Sequence, residues 1–196
     1  MSDNPVVRVL GPVVRLTGLA AGYGVLILSF FVAAEVVLRR TVGVSLQGAD
    51  EFGGYVLAAL AAFGFAFALM ERAHTRIELL HERLGPTPRA ALDVLAMLAV
   101  AGMAAFMAAR GVAVVAESLE YGSLSGTPSM TPLWRPQAVW AAGLVLFAVF
   151  SIACAAHALW LLFRDPGAIQ AQYGAKSLDE EIAEEQRAVE NRSAAR

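Results

Sequence analysis

The sequence predicts an all-α integral membrane protein with four transmembrane helices and both termini in the cytoplasm. Three observations carry that expectation. The chain of 196 residues is 58% hydrophobic and only 16% charged, against about 25% charged in soluble domains, and its mean hydropathy is +0.59. Four apolar runs, at about residues 14–38, 52–70, 90–116 and 138–163, are each long enough as helices to cross a hydrocarbon core of about 30 Å. Lysine and arginine are divided unevenly between the connections, and cytoplasmic loops carry the excess.

The second run is the clearest. Phe52 to Met70 contains no charge, opens after the acidic pair Asp50-Glu51 and closes on Glu71, Arg72, His74, Arg76 and Glu78. In lipid every backbone N–H and C=O needs a partner within the protein, so a helix is expected. Gly54, Ala58, Ala62 and Ala66 recur at every fourth position and share one helix face. Such a stripe either lets another helix approach closely or reflects the abundance of small residues in membrane helices.

The other elements follow in order. Residues 1–15 carry Arg8, Arg15 and two prolines and read as a short tail. Leu16 to Ala34 is about 19 residues without a charge, longer than the roughly 7–15 of a signal-peptide core, so it reads as an uncleaved helix continuing to Leu38. Gly18 and Gly22 form a GxxxG pair within it. The connection from Arg39 to Glu51 is short and makes the first two helices antiparallel neighbours. Thr87-Pro88 reads as an N-cap and first helical residue for the third span. A loop rich in Gly, Ser, Thr and Pro, Glu117 to Gln137, leads to the fourth span, which has Trp140 and Trp160 near its ends, where aromatic belts form. Pro166 is expected to stop that helix. Residues 166–196 form a polar tail in which Ser177 and Glu180 fit a capping box for a short helix over about 178–191.

Orientation follows from the basic residues. Arg8, Arg15, Arg72, Arg76, Arg83, Arg89, Arg164 and Lys176 fall on one side, and only Arg39, Arg40 and Arg135 on the other. The first side is therefore cytoplasmic.

Catalytic patterns are missing. There is no glycine-rich phosphate loop, no paired histidines on an apolar face and no nucleophile set with its supporting context. The net charge of −2 argues against nucleic-acid binding. The one cysteine, Cys154, lies in an apolar run and reads as a small buried hydrophobe. Only His157 of the three histidines lies in a span, where it could serve a membrane-anchored redox subunit or a hydrogen-bonded core position; the second is favoured. Glu35, near the outer end of the first helix, could be the coupling carboxylate of a small oligomeric exporter. The favoured reading pairs it with an arginine, Arg39 or Arg110, because burying a lone charge in a bilayer costs at least about 2.5 kcal/mol at the centre. Arg110 lies as far from the start of its span as Glu35 does from its own. A pair with Glu35 is expected first, and with Glu51 second.

Arg39-Arg40, followed about ten residues later by Asp50-Glu51, then Glu71-Arg72-Ala73-His74-Thr75-Arg76-Ile77-Glu78 after the second helix, then Thr131-Pro132-Leu133-Trp134-Arg135-Pro136-Gln137 before the fourth, form a set. In order and spacing the chain resembles the DctQ-type small membrane subunit of tripartite ATP-independent periplasmic (TRAP) transporters, over most of residues 14–163. The resemblance implies a scaffold without catalysis and without a cofactor of its own. It also implies a large membrane subunit that holds the substrate and sodium sites, and a periplasmic protein that delivers a small organic solute, such as an organic acid. Residues expected at interfaces are Glu35, Arg39, Asp50, Glu51, Gly54, Ala58, Ala62, Ala66, His74, Arg76, Glu78, Arg110, Trp134 and Pro136.

Overall fold

The computed structural model describes residues 4–45, 48–73 and 85–174, with Ile182, Gln186, Val189, Glu190 and Ser193 beyond them. Among the described residues there are five helices and no strand: α1 (Pro5–Thr41), α2 (Ala49–Met70), α3 (Pro86–Glu120), α4 (Trp134–Arg164) and α5 (Pro166–Tyr173). The first four are long and apolar enough to cross a membrane, as expected. The helix expected over 178–191 falls mostly outside the described residues.

All four spans begin earlier than their apolar runs, α1 by the most. α1 starts at Pro5, so most of the expected tail is helical. Asn4 caps it, its side-chain oxygen accepting from Val6 N at 3.0 Å and Val7 N at 3.5 Å, and Pro5 stands where a missing N–H costs nothing. At 37 residues the helix is about 55 Å long, well beyond the thickness of a hydrocarbon core. Its first turns pack on the rest of the subunit: Val14 is fully buried and Val6, Val7 and Leu10 lie against the core. α3 is capped by Gly85 rather than Thr87, and both Pro86 and Pro88 fall in its first turn.

Pro166 ends α4 and also begins α5. Asp165 reverses the chain and accepts from Ala168 N at 3.3 Å, and the proline occupies the first turn of the new helix. The short helix lies under α3 and α4 and buries Ile169 and Tyr173.

The spans form a row and not a closed square. α1 packs on α2, α2 on α4 and α4 on α3. Sequence neighbours α2 and α3 are therefore separated by α4, which supplies the largest share of the core: Leu144, Phe147, Ala148, Phe150, Cys154, Ala155, Ala158 and Leu161.

Candidate functional site

The chemistry-bearing residues of this chain lie at helix seams and helix ends. The α2/α4 seam is closest at Gly143. A Cβ there would stand 2.7 Å from Ala62 Cβ and 3.1 Å from the Ala62 carbonyl carbon and Phe63 N, so only glycine allows this approach. Phe65 and Phe147 stack across the same seam with centroids 5.5 Å apart. The small-residue stripe is thus divided. Ala62 and Ala66 are fully buried, Ala58 is half-buried, and Gly54 is exposed with open space where a Cβ would point. The α3/α4 seam has its own close approach, where a Cβ at Gly111 would lie 3.0 Å from Leu144.

At the end of the subunit where α2 begins, Glu51 is the centre of a hydroxyl cluster. Tyr55 donates to its Oε1 at 2.7 Å, Ser129 donates to its Oε2 at 2.6 Å, and Thr127 also donates to Oε2. The loop between α3 and α4 is shaped for this. Ser125 N donates to Thr131 O at 2.8 Å and Leu133 N to Ser123 O at 3.0 Å, closing a short hairpin. Ser125 Oγ accepts from Thr131 N at 2.9 Å and shares a hydrogen bond with Thr127. A carboxylate in the first turn of α2 also suits the positive end of the helix dipole. Asp50 beside it is exposed.

Glu35 is buried at the same end and accepts from Ser45 Oγ at 2.7 Å. The expected pairing with an arginine is not what the structure shows. Arg39 and Arg110 are exposed, and neither forms an ion pair with Glu35 or Glu51. The reason is lateral. Equal depth along two helices brings side chains together only if the helices touch, and α3 shares no seam with α1 or α2. Glu51 turns to the loop hydroxyls, which reach it from the α3–α4 connection.

The opposite end is tied by a second polar set. His157 Nδ1 and Tyr173 Oη are 2.7 Å apart, and Trp160 stacks on the imidazole with centroids 5.8 Å apart. Asn4 and Cys154 lie beside the Tyr173 hydroxyl, whose pKa burial pushes well above the usual phenol value. Arg72, just past α2, donates to Ala171 O at 3.1 Å and Gly174 O at 3.4 Å. Arg89 reaches Gln170 Oε1 at 3.3 Å. α5 thus joins the ends of α2, α3 and α4. His157 makes the hydrogen bond favoured from sequence, from a half-buried position beside the core.

α4 carries a cation over an aromatic ring at each end. Arg135 lies over Trp134 at 5.7 Å and Arg164 over Trp160 at 5.1 Å, while Pro136 sits in the first turn. His74, Arg76 and Glu78 lie outside the described residues. Among the described residues no three His, Cys, Asp or Glu are grouped to hold a metal ion. Sequence reasoning missed Tyr55, Thr127, Ser129, Gly143 and Tyr173. The run of hydroxyls Ser125, Thr127, Ser129 and Thr131 was a visible signal, since a tight turn gathers neighbouring hydroxyls around one acceptor.

Four long apolar helices, tied at both ends by polar clusters, define a multi-pass membrane protein with no catalytic constellation among its described residues. The family model described as "Tripartite ATP-independent periplasmic transporters, DctQ component" matches residues 28–161. The chain belongs to that family and is a small membrane component of a TRAP transporter, not an enzyme. No curated protein matches it closely enough to add to this.

Proposed function

We propose that the chain is the fixed scaffold subunit of a sodium-coupled importer in a bacterial inner membrane. It holds a large membrane subunit that binds the sodium ions and the solute, a small organic molecule such as an organic acid delivered by a periplasmic binding protein. The observation that carries this reading is the continuity of the four spans. Transport sites at the midplane commonly use broken helices whose half-helix ends face the substrate. Among the described residues, the clustered carboxylates and hydroxyls stand at helix ends, where they tie the subunit together.

The arginine distribution supports cytoplasmic termini. The Glu51 cluster then faces the periplasm, where it stiffens the surface turned toward the binding protein. Cysteines introduced at the exposed positions Val42 and Tyr121 should react with an impermeant maleimide added outside spheroplasts, and one at Ser193 should not; periplasmic labelling at Ser193 reverses the topology. The scaffold reading is tested by co-expression with the large subunit. Solute uptake should need both chains and a sodium gradient, and the two should co-purify. Sodium-driven uptake by the large subunit alone, at the full rate, would falsify it.

A further inference from the structure

The groove between α1 and α2 is apolar along its length, and two arginines stand at one end of it. Gly18, Gly22 and Leu26 of α1 and Leu60, Gly64 and Phe67 of α2 line about 410 Å³ of open space. A Cβ at Gly22 or Gly64 would meet nothing there. On α1, Arg8, Arg15 and Gly22 follow at intervals of seven residues, close to two full turns, so both arginines share the face that forms the groove. Both are exposed, and neither has a hydrogen bond or ion pair among the described residues.

The depth of the arginines suits a headgroup. A Cβ at Gly11 would lie 3.6 Å from the sulfur of Met70, and one at Gly18 would lie 3.1 Å from the Phe67 ring. Arg15 stands between these levels, within the last turn of α2, and the polar connection begins at Glu71 and Arg72. Its side chain tilts toward the N-terminus of α1, which here is the direction of that interface. The stem then lies along the helix and the guanidinium reaches the phosphates. The groove itself suits one chain. A cavity of about 150 Å³ takes one benzene, so 410 Å³ suits about sixteen carbons, the length of an acyl chain. A helix seated there would have to supply an acid at the depth of Arg15, whereas a phospholipid carries its phosphate with its chain.

We propose that this groove retains one anionic phospholipid, its phosphate held by Arg15 with Arg8 beside it and one acyl chain lying between α1 and α2. A guanidinium pairs with phosphate through two parallel hydrogen bonds. On the topology above, the lipid belongs to the inner leaflet. α1 is the barest of the four spans, and a chain in the seam supplies packing that its glycines do not.

The test uses the full chain in a neutral detergent with equal amounts of phosphatidylglycerol and phosphatidylcholine, and native mass spectrometry to read the lipid retained. The wild type should keep one phosphatidylglycerol in clear preference to phosphatidylcholine. Arg15→Gln should lower that retention about fivefold, the scale of one basic residue near an anionic lipid, and Arg15→Lys should keep most of it. Gly64→Leu, which fills the groove and leaves both arginines in place, should lose the lipid while the chain stays folded. Arg164→Gln, an exposed arginine at the same end of the subunit but outside the groove, should change nothing. Equal retention of the two lipids by the wild type overturns the proposal. So does an equal loss in Arg15→Gln and Arg164→Gln, which would mean diffuse attraction to a basic rim, and so does full retention in Gly64→Leu. In membranes that also hold the large subunit, the photoreactive residue p-benzoylphenylalanine at Tyr23, which lines the groove, should give adducts enriched in phosphatidylglycerol over the bulk lipid. An adduct with the large subunit would seat a helix there instead and remove the lipid.

Discussion

α1 and α4 are almost equally apolar, and either could be exchanged for the other in a hydropathy plot. Inside the subunit they are opposites. Half of the apolar window of α4 is buried, 50%, against 6% for α1. The difference comes from small residues at crossings. α4 has Gly143 against Ala62 and faces Gly111 on its other side, so two helices reach its backbone. α1 has Gly18 against Phe67, but a Cβ at Gly22 would meet nothing. Gly18, Gly22, Gly64 and Phe67 instead line an open groove of about 410 Å³ between α1 and α2. Hydropathy measures transfer from water to lipid, and in lipid that transfer no longer separates a buried helix from a bare one. Packing does.

The sharpest way to break this contrast is at Gly143. Gly143→Leu forces a side chain into Ala62 and the α2 backbone. The loss should be at or above the roughly 1–3 kcal/mol of ordinary overpacking, read as a large fall in folded yield and melting temperature in detergent. Wild-type stability in this variant would mean that α2 and α4 do not cross here.

Smaller effects sharpen the comparison. The N-terminal cap of α1 meets the core at the Asn4, Tyr173 and His157 cluster. Tyr173→Phe keeps the packing and removes one hydroxyl, which should cost about 1 kcal/mol, seen as a modest drop in melting temperature. An unchanged melting curve would show that the His157 contact contributes nothing. Glu51→Gln should leave the melt nearly unchanged while speeding amide exchange across residues 123–133, since Tyr55, Ser129 and Thr127 lose their common charged acceptor. Exchange confined to wild-type rates would mean the loop closes without Glu51. Gly22→Leu, facing open space, should change stability by no more than about 0.5 kcal/mol; a large loss would place a neighbour in that groove.

Much of the architecture was legible in the chain itself. The four spans, their short first connection and the family all follow from apolar runs and the residues that punctuate them, because a bilayer demands uninterrupted helices of a minimum length. The polar ends of those helices were visible too: Glu35, Asp50, Glu51 and Trp160 stand where charge and aromatic patterns put them. Residue type and spacing sufficed there, since depth in a membrane is a one-dimensional property of a helix.

Lateral order is not, and only the tertiary structure decided it. Nothing in the spacing says that α4 lies between α2 and α3, and this order separates Arg110 from both acids expected to hold it. Nor does the four-residue stripe on α2 reveal that Ala62 and Ala66 are covered while Gly54 is bare. The partner of Glu51 came from a loop 76 residues further along the chain, and Pro166 began a helix where it was expected only to end one. Side chains meet across seams chosen by the packing of whole helices, and those choices depend on every small residue along each crossing together.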